Sequence, residues 1–121
     1  MSRDPRLRLA DIVDACTRIA DYIEGFDATT FAQDFKTQDA VIPPGRRPLW
    51  AGGRQFAIVG EAVKTLPQEV IEREPSIPWS QIAGFRDVLT HAYFAIDPSV
   101  VWDAARHKAP LLKNSCEKLL S

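Results

Sequence analysis

The chain is poor in the features that define several protein classes. It has no apolar run near the about 18 residues that a membrane-spanning helix needs, so no membrane association is expected. Its 2 cysteines, Cys16 and Cys116, are far apart in sequence. They fit neither a metal motif nor a disulfide framework, and each falls at an apolar position of an expected helix. Reduced core thiols in a cytoplasmic protein are therefore expected. Positive charge is not in excess: 15 Lys and Arg stand against 16 Asp and Glu, for a net charge of −1. That excludes a broad nucleic-acid footprint, and any RNA contact must be local. The opening Met1-Ser2-Arg3-Asp4-Pro5-Arg6 lacks the apolar core of a secretion signal, which again points to the cytoplasm. Alternation with period two, the mark of a strand, is absent throughout.

What remains is helical rhythm. With 121 residues and 45% apolar content, residues 1–121 suit one small domain with a true core. Leu9, Ile12, Cys16, Ile19 and Ile23 recur at spacings of three and four and predict a helix from about Leu7 to Glu24, stopped by Gly25. A second helix starts near Asp27 or Thr29 and carries Phe31, Phe35, Gln38 and Ile42. Pro43 to Gly53 (PPGRRPLWAGG) breaks the rhythm and reads as a loop. With those 11 residues removed, the apolar stripe from Phe31 to Leu66 runs on in phase through Phe56, Val59 and Val63. The segment thus reads as an insertion into one long helix, with the two halves expected to stay collinear and Trp50 expected to pack on a neighbouring surface.

A short helix over Gln68 to Arg73 follows Pro67. Next comes a helix with Pro78 in its first turn that carries Trp79, Ile82, Phe85, Leu89 and Tyr93 and ends near Ile96. Asp97 and Pro98 open the last helix, whose apolar face is Val101, Ala105, Leu112, Cys116 and Leu119, with a kink expected at Pro110. The expected fold is all-α, an antiparallel helical bundle of about four to six helices with a Pro/Gly-rich loop inserted in helix 2.

The chemistry concentrates in Gly84-Phe85-Arg86-Asp87-Val88-Leu89-Thr90-His91-Ala92-Tyr93. Histidine moves protons near neutral pH, and arginine holds a phosphate and offsets charge that develops on it. Asp87 and His91 are four residues apart and adjacent on a helix, so Asp87 can orient His91. Arg86 and His91 are about 140° apart around the axis at about 100° per residue. A two-fold partner would bring two such pairs into one composite cleft. From spacing alone, a solvated Arg86/Asp87 face with His91 and Tyr93 half-buried in the core fits better, since R-x4-H-x-Y is short enough to occur by chance. Gly60 suits close helix packing, Glu61 either pairs with a charge near the cleft or sits on the surface, and Trp79 and Trp102 suit the core or an interface. Arg46, Arg47 and His107 read as solvated.

Several stretches together carry a family resemblance. They are Asp11-Ile12, Lys36-Thr37-Gln38-Asp39-Ala40-Val41, Ile58-Val59-Gly60-Glu61-Ala62-Val63-Lys64, Ile77-Pro78-Trp79-Ser80-Gln81-Ile82-Ala83-Gly84-Phe85-Arg86-Asp87, and Asp97 with Val101-Trp102. In order and context the chain resembles HepT proteins of the HEPN superfamily, the toxin half of MntA/HepT toxin–antitoxin pairs, over nearly its whole length outside Pro43 to Gly53. The resemblance implies a HEPN-type bundle and a metal-independent endoribonuclease acting as a homodimer, with no cofactor. Arg86 and His91 match the R-x4–6-H motif as catalytic residues, with Asp87 supporting. It also implies an MntA-like nucleotidyltransferase antitoxin as partner, which transfers AMP to the tyrosine of H-x-Y, here Tyr93. In such an enzyme His91 deprotonates the RNA 2′-hydroxyl, that oxygen attacks phosphorus, and Arg86 stabilises the phosphoryl charge. The alternative is a non-catalytic HEPN module that binds a nucleotide or partner and is only a substrate of the nucleotidyltransferase. A plain helical interaction protein is the third reading.

Overall fold

The same short signal starts both the first and the last long helix. In the computed structural model, which describes residues 4–41, 51–91 and 97–121 (for 35–41, 51–53 and 90 the backbone only), helix α1 spans Pro5–Ile23. Asp4 caps it by accepting from Arg6 N at 2.9 Å, and Pro5 takes the first helical position, where its missing N–H costs nothing. Asp97 and Pro98 repeat the device, with the Asp97 side chain accepting from Ser99 N at 2.9 Å. Gly25 ends α1 at φ +86°, a left-handed conformation that a side chain would strain.

Helix α2 spans Ala28–Val41. Its cap is reciprocal: Thr30 N donates to Asp27 Oδ1 at 2.8 Å, and Asp27 N donates to Thr30 Oγ1 at 2.9 Å. Helix α3 spans Ala51–Lys64, α4 Gln68–Glu72 and α5 Trp79–His91. The last rod is continuous: α6 (Pro98–Asp103), a π-helical stretch (Ala104–Lys108) and α7 (Ala109–Leu120).

The sequence-based reading differs from this where α1 starts, at Pro5 rather than near Leu7, and where the inserted loop ends. The loop expected through Gly53 stops earlier, since Ala51, Gly52 and Gly53 already form the first turn of α3. A first turn tolerates glycine more cheaply than a helix interior, because its N–H groups have no intrahelical partners to lose. The remainder of the insertion, Pro43 to Trp50, lies outside the described residues. With it lie Arg46, Arg47, the packing of Trp50 and the path that decides collinearity. At Pro110, where a kink was expected, the helical path runs on through a π stretch. The ring of a proline clashes with the carbonyl four residues back and supplies no N–H, and the π stretch just before it accommodates both defects.

The rods form an all-α bundle with α1 at its centre. Helix α1 packs on α3 and α7, α3 on α5, and α2 on α6. Ile12, Ile19, Val101 and Cys116 are fully buried, and Leu9, Cys16, Phe31 and Leu89 nearly so. These are the apolar positions that the spacing of three and four selects, so periodicity accounts directly for the core. Phe31 joins α2 to the last rod by packing at a tilt on Trp102, ring centroids 5.4 Å apart, and meets Phe26 edge-on at 6.3 Å. Both cysteines are free thiols, and burial pushes each up to about 12, so neither is a ready nucleophile. Among the described residues no helix is long and apolar enough to cross a membrane.

Candidate active site

Helix α5 is set into the bundle by its apolar face. Trp79 is buried at its start, and its indole N–H donates to the Glu74 carbonyl at 3.0 Å. One turn and a half further on, Phe85 meets Phe56 of α3 edge-on at 5.4 Å. Leu89 is 1% exposed. These anchors fix the rotation of α5 and so decide where Arg86, Asp87 and His91 come to the surface.

Arg86 emerges against α3 directly over Gly60. A Cβ built on Gly60 would overlap the Arg86 Cβ and press on its Cγ and Cδ. The glycine therefore lets α5 approach closely enough for the arginine stem to lie flat on α3. The guanidinium, about a third exposed, is held at both ends. Its Nη2 is 3.4 Å from Glu61 Oε2, and its Nη1 donates to Asp87 Oδ1 at 3.3 Å.

Asp87 does not serve the role that the four-residue spacing suggested. Its carboxylate accepts from Lys64 Nζ at 3.0 and 3.3 Å and from Arg86, and no bond joins it to His91. The hydrogen bond from Lys64, reinforced by the charges of Lys64 and Arg86, holds the Asp87 carboxyl below its ordinary value. The two helices are thus stitched by an alternating chain, Lys64–Asp87–Arg86–Glu61. Each exposed pair alone contributes little, but a network that orders one guanidinium has a geometric effect beyond its energy. Of the α3 residues, Glu61 takes the charge-pairing role. The Lys64 contact has no local sequence signal, because it spans 23 positions.

His91 is the last described residue of α5 and is exposed, and the helix end expected near Ile96 lies outside the described residues. It stands about 7.5 Å along the axis from Arg86 at a rise of about 1.5 Å per residue. The structure therefore places both motif residues at the surface of one helix, with Arg86 immobilised and His91 open to solvent. Tyr93 and Ala92 lie outside the described residues. Trp102 is half-buried against Phe31, and His107 is exposed on the π stretch, as its sequence context suggested. Among the described residues no three His, Cys, Asp or Glu side chains gather to hold a metal ion. A cavity of about 540 Å³, lined by Cys16, Ile19, Phe56, Ile82 and Leu112 among others, is mostly apolar, and neither Arg86 nor His91 lines it.

The all-α bundle is the architecture that the sequence resemblance led one to expect, and the comparisons point to the same family. The family model described as "Ribonuclease HepT-like" matches residues 12–119. A protein of Thermococcus cleftensis named "Probable ribonuclease HepT" is 36% identical over 119 residues, 98% of each chain. "Putative RNase MJ0127" of Methanocaldococcus jannaschii is 36% identical over 108 residues, covering 89% of this chain and 80% of that protein. "Putative RNase TTE0752" of Caldanaerobacter subterraneus is 30% identical over 118 residues, covering 98% and 96%. No solved structure gives a significant match. The chain belongs to the ribonuclease HepT-like family, and its bundle is of the HEPN type.

Proposed function

We propose that this protein is an endoribonuclease that cleaves RNA through its own 2′-hydroxyl, without a metal ion, at a site built from Arg86 and His91. The observation that carries the reading is the fixation of Arg86 over Gly60, between Glu61 and Asp87, with exposed His91 further along the same helix. In the reaction His91 takes the 2′-hydroxyl proton. The 2′-oxygen forms a bond to the adjacent phosphorus as the bond to the 5′-oxygen breaks, and the leaving oxygen takes a proton. The products are a 2′,3′-cyclic phosphate and a 5′-hydroxyl. Arg86 offsets the charge on the phosphoryl oxygens. DNA lacks the attacking group and is not a substrate.

Two copies of the chain complete the site by bringing their α5 helices together, since one copy presents its arginine and histidine over a wide angle. The partner in the cell is an MntA-like nucleotidyltransferase antitoxin. It directs Tyr93 onto the α-phosphorus of ATP, with pyrophosphate leaving, so that bulk and negative charge arise beside His91 and repel an RNA phosphate. The protein then acts as the toxin of a toxin–antitoxin pair.

One observation favours a second reading. Arg86 already has two carboxylate neighbours, Glu61 and Asp87, which compete with any phosphate. In that reading the domain is a non-catalytic nucleotide- or partner-binding module and only a substrate of the nucleotidyltransferase. Incubating the purified protein with RNA in EDTA separates the two. The ribonuclease reading expects 2′,3′-cyclic phosphate ends, and no cut at a position carrying a single 2′-deoxy nucleotide. Intact RNA at enzyme excess would support the non-catalytic module.

A further inference from the structure

A shallow groove of about 400 Å³ opens beside the candidate site. Helix α1 supplies Arg8 and Asp11, α3 supplies Ala57, Ile58 and Glu61, and α5 supplies Arg86. It therefore sets a second arginine, from the first turns of the chain, in the same depression as Arg86. The charges in the groove are not equivalent. Glu61 is occupied by Arg86, and Asp11 is engaged with a partner. The Arg8 side chain, in contrast, makes no hydrogen bond or ion pair among the described residues, and its Nε is shielded from solvent with no acceptor. A buried donor left unmet is costly, and more so on a cation. The uncompensated group in this groove is thus a half-buried guanidinium that needs an acceptor, and a phosphate oxygen meets that need in charge and geometry.

We propose that Arg8 is a second phosphate-binding residue: the groove between α1, α3 and α5 takes a backbone phosphate of the RNA strand next to the one attacked at Arg86. This rests on the ribonuclease reading. It makes the strand cross from α5 over α3 to α1 and places the substrate's grip on the fold's central helix. Arg8 positions the strand and does not touch the reacting atoms. It also supplies positive charge where Arg86 is largely neutralised by its two carboxylates, which explains how a chain of net charge −1 holds an anionic polymer locally.

The test uses the full chain and a fluorescent 2′-O-methyl oligoribonucleotide, which cannot be cleaved because its 2′-oxygen is blocked. Affinity is read by anisotropy at several salt concentrations for wild type, Arg8→Gln and Arg8→Lys, with helicity by circular dichroism as the fold control. Losing one phosphate contact on a single strand lowers the slope of log affinity against log salt by about 0.7. Arg8→Gln is expected to show that drop and to bind about 5- to 10-fold more weakly, while Arg8→Lys keeps the wild-type slope. On cleavable RNA, Arg8→Gln should raise KM by a similar factor and leave kcat within about 3-fold. Wild-type slope and affinity in Arg8→Gln would overturn the proposal. So would a changed sedimentation coefficient with an unchanged slope, which would assign Arg8 to a contact between copies. Should Arg8→Gln lose its helicity, Arg8→Met, which keeps the apolar stem and removes the charge, decides instead: a slope lower by about 0.7 upholds the phosphate contact, and a wild-type slope overturns it. Arg8-dependent binding without any cleavage would instead sink the ribonuclease reading and leave the phosphate site standing.

Discussion

Gly60 and Arg86 are in contact in the one arrangement that excludes a side chain from the first. The arginine's stem occupies the space that a Cβ on residue 60 would need. Position 60 therefore controls where the guanidinium lies, although it carries no chemistry of its own.

Replacing this glycine should displace the arginine. Gly60→Ala is expected to destabilise the fold by about 1–3 kcal/mol through overpacking, despite the better helix propensity of alanine. RNA cleavage should fall by at least about 10-fold, because small misplacements of a charge-stabilising group are costly. Gly84 on the same helix pair is the control. A Cβ there meets nothing within 4 Å, so Gly84→Ala should stabilise by about 1 kcal/mol. Denaturant titration of both variants checks the pair, and equal effects would contradict the packing account.

The Asp87 carboxyl lies below its ordinary value because Lys64, and secondarily Arg86, favour its charged form. A depressed carboxyl contributes stability above its unfolded value, near 3.8, and that contribution is lost as pH falls through the lower folded value. Acid unfolding of Asp87→Asn should therefore converge with wild type at low pH and separate from it above about pH 4. Lys64→Met should move the Asp87 carboxyl upward in a carbon-detected NMR titration, and an unmoved titration would contradict the contact.

Helix α2 is tied to the last rod through Phe31 on Trp102. Phe31→Ala should cost about 3–5 kcal/mol, a large part of the total for a domain of this size. Chemical denaturation followed by circular dichroism measures it. A loss below about 1 kcal/mol would mean that α2 is held by other contacts.

Tyr93 is expected to receive AMP from a cognate nucleotidyltransferase supplied with ATP, and cleavage is expected to stop. Intact-mass measurement on wild type and Tyr93→Phe decides it. An equal mass gain in both would place the modified residue elsewhere.

The bundle was legible in the sequence because its signals are local. Leu9, Ile12, Cys16 and Ile19 repeat within one helix, Gly25 marks its end, and Asp97-Pro98 mark the start of the last rod, each in adjacent residues. The Asp4-Pro5 start carried the same signal as Asp97-Pro98, and α1 accordingly begins earlier than its apolar stripe alone suggested. Arg86 and His91 were legible as a motif. Their surroundings were not. That Asp87 turns to Lys64 rather than to His91 follows from how α5 rotates against α3, and this depends on Phe56, Phe85 and Gly60, which are far apart in sequence. Arg8 belongs to the same class: nothing near it in sequence says that it shares a groove with Arg86. The π stretch before Pro110 likewise reflects how a continuous rod absorbs a proline when both sides are packed on α1.

The account stands or falls on Arg86 and His91 acting as one site. The most direct measurement is the single-turnover cleavage rate, in EDTA, of an oligonucleotide with one ribonucleotide at the scissile position. It is taken for wild type, Arg86→Ala, His91→Ala and the double variant. Each single variant should lose at least about 100-fold, the scale of a general base or of one charge-stabilising donor, and the double variant should lose little more than either. An undiminished rate in His91→Ala, or cleavage that appears only when Mg²⁺ is added, would contradict it.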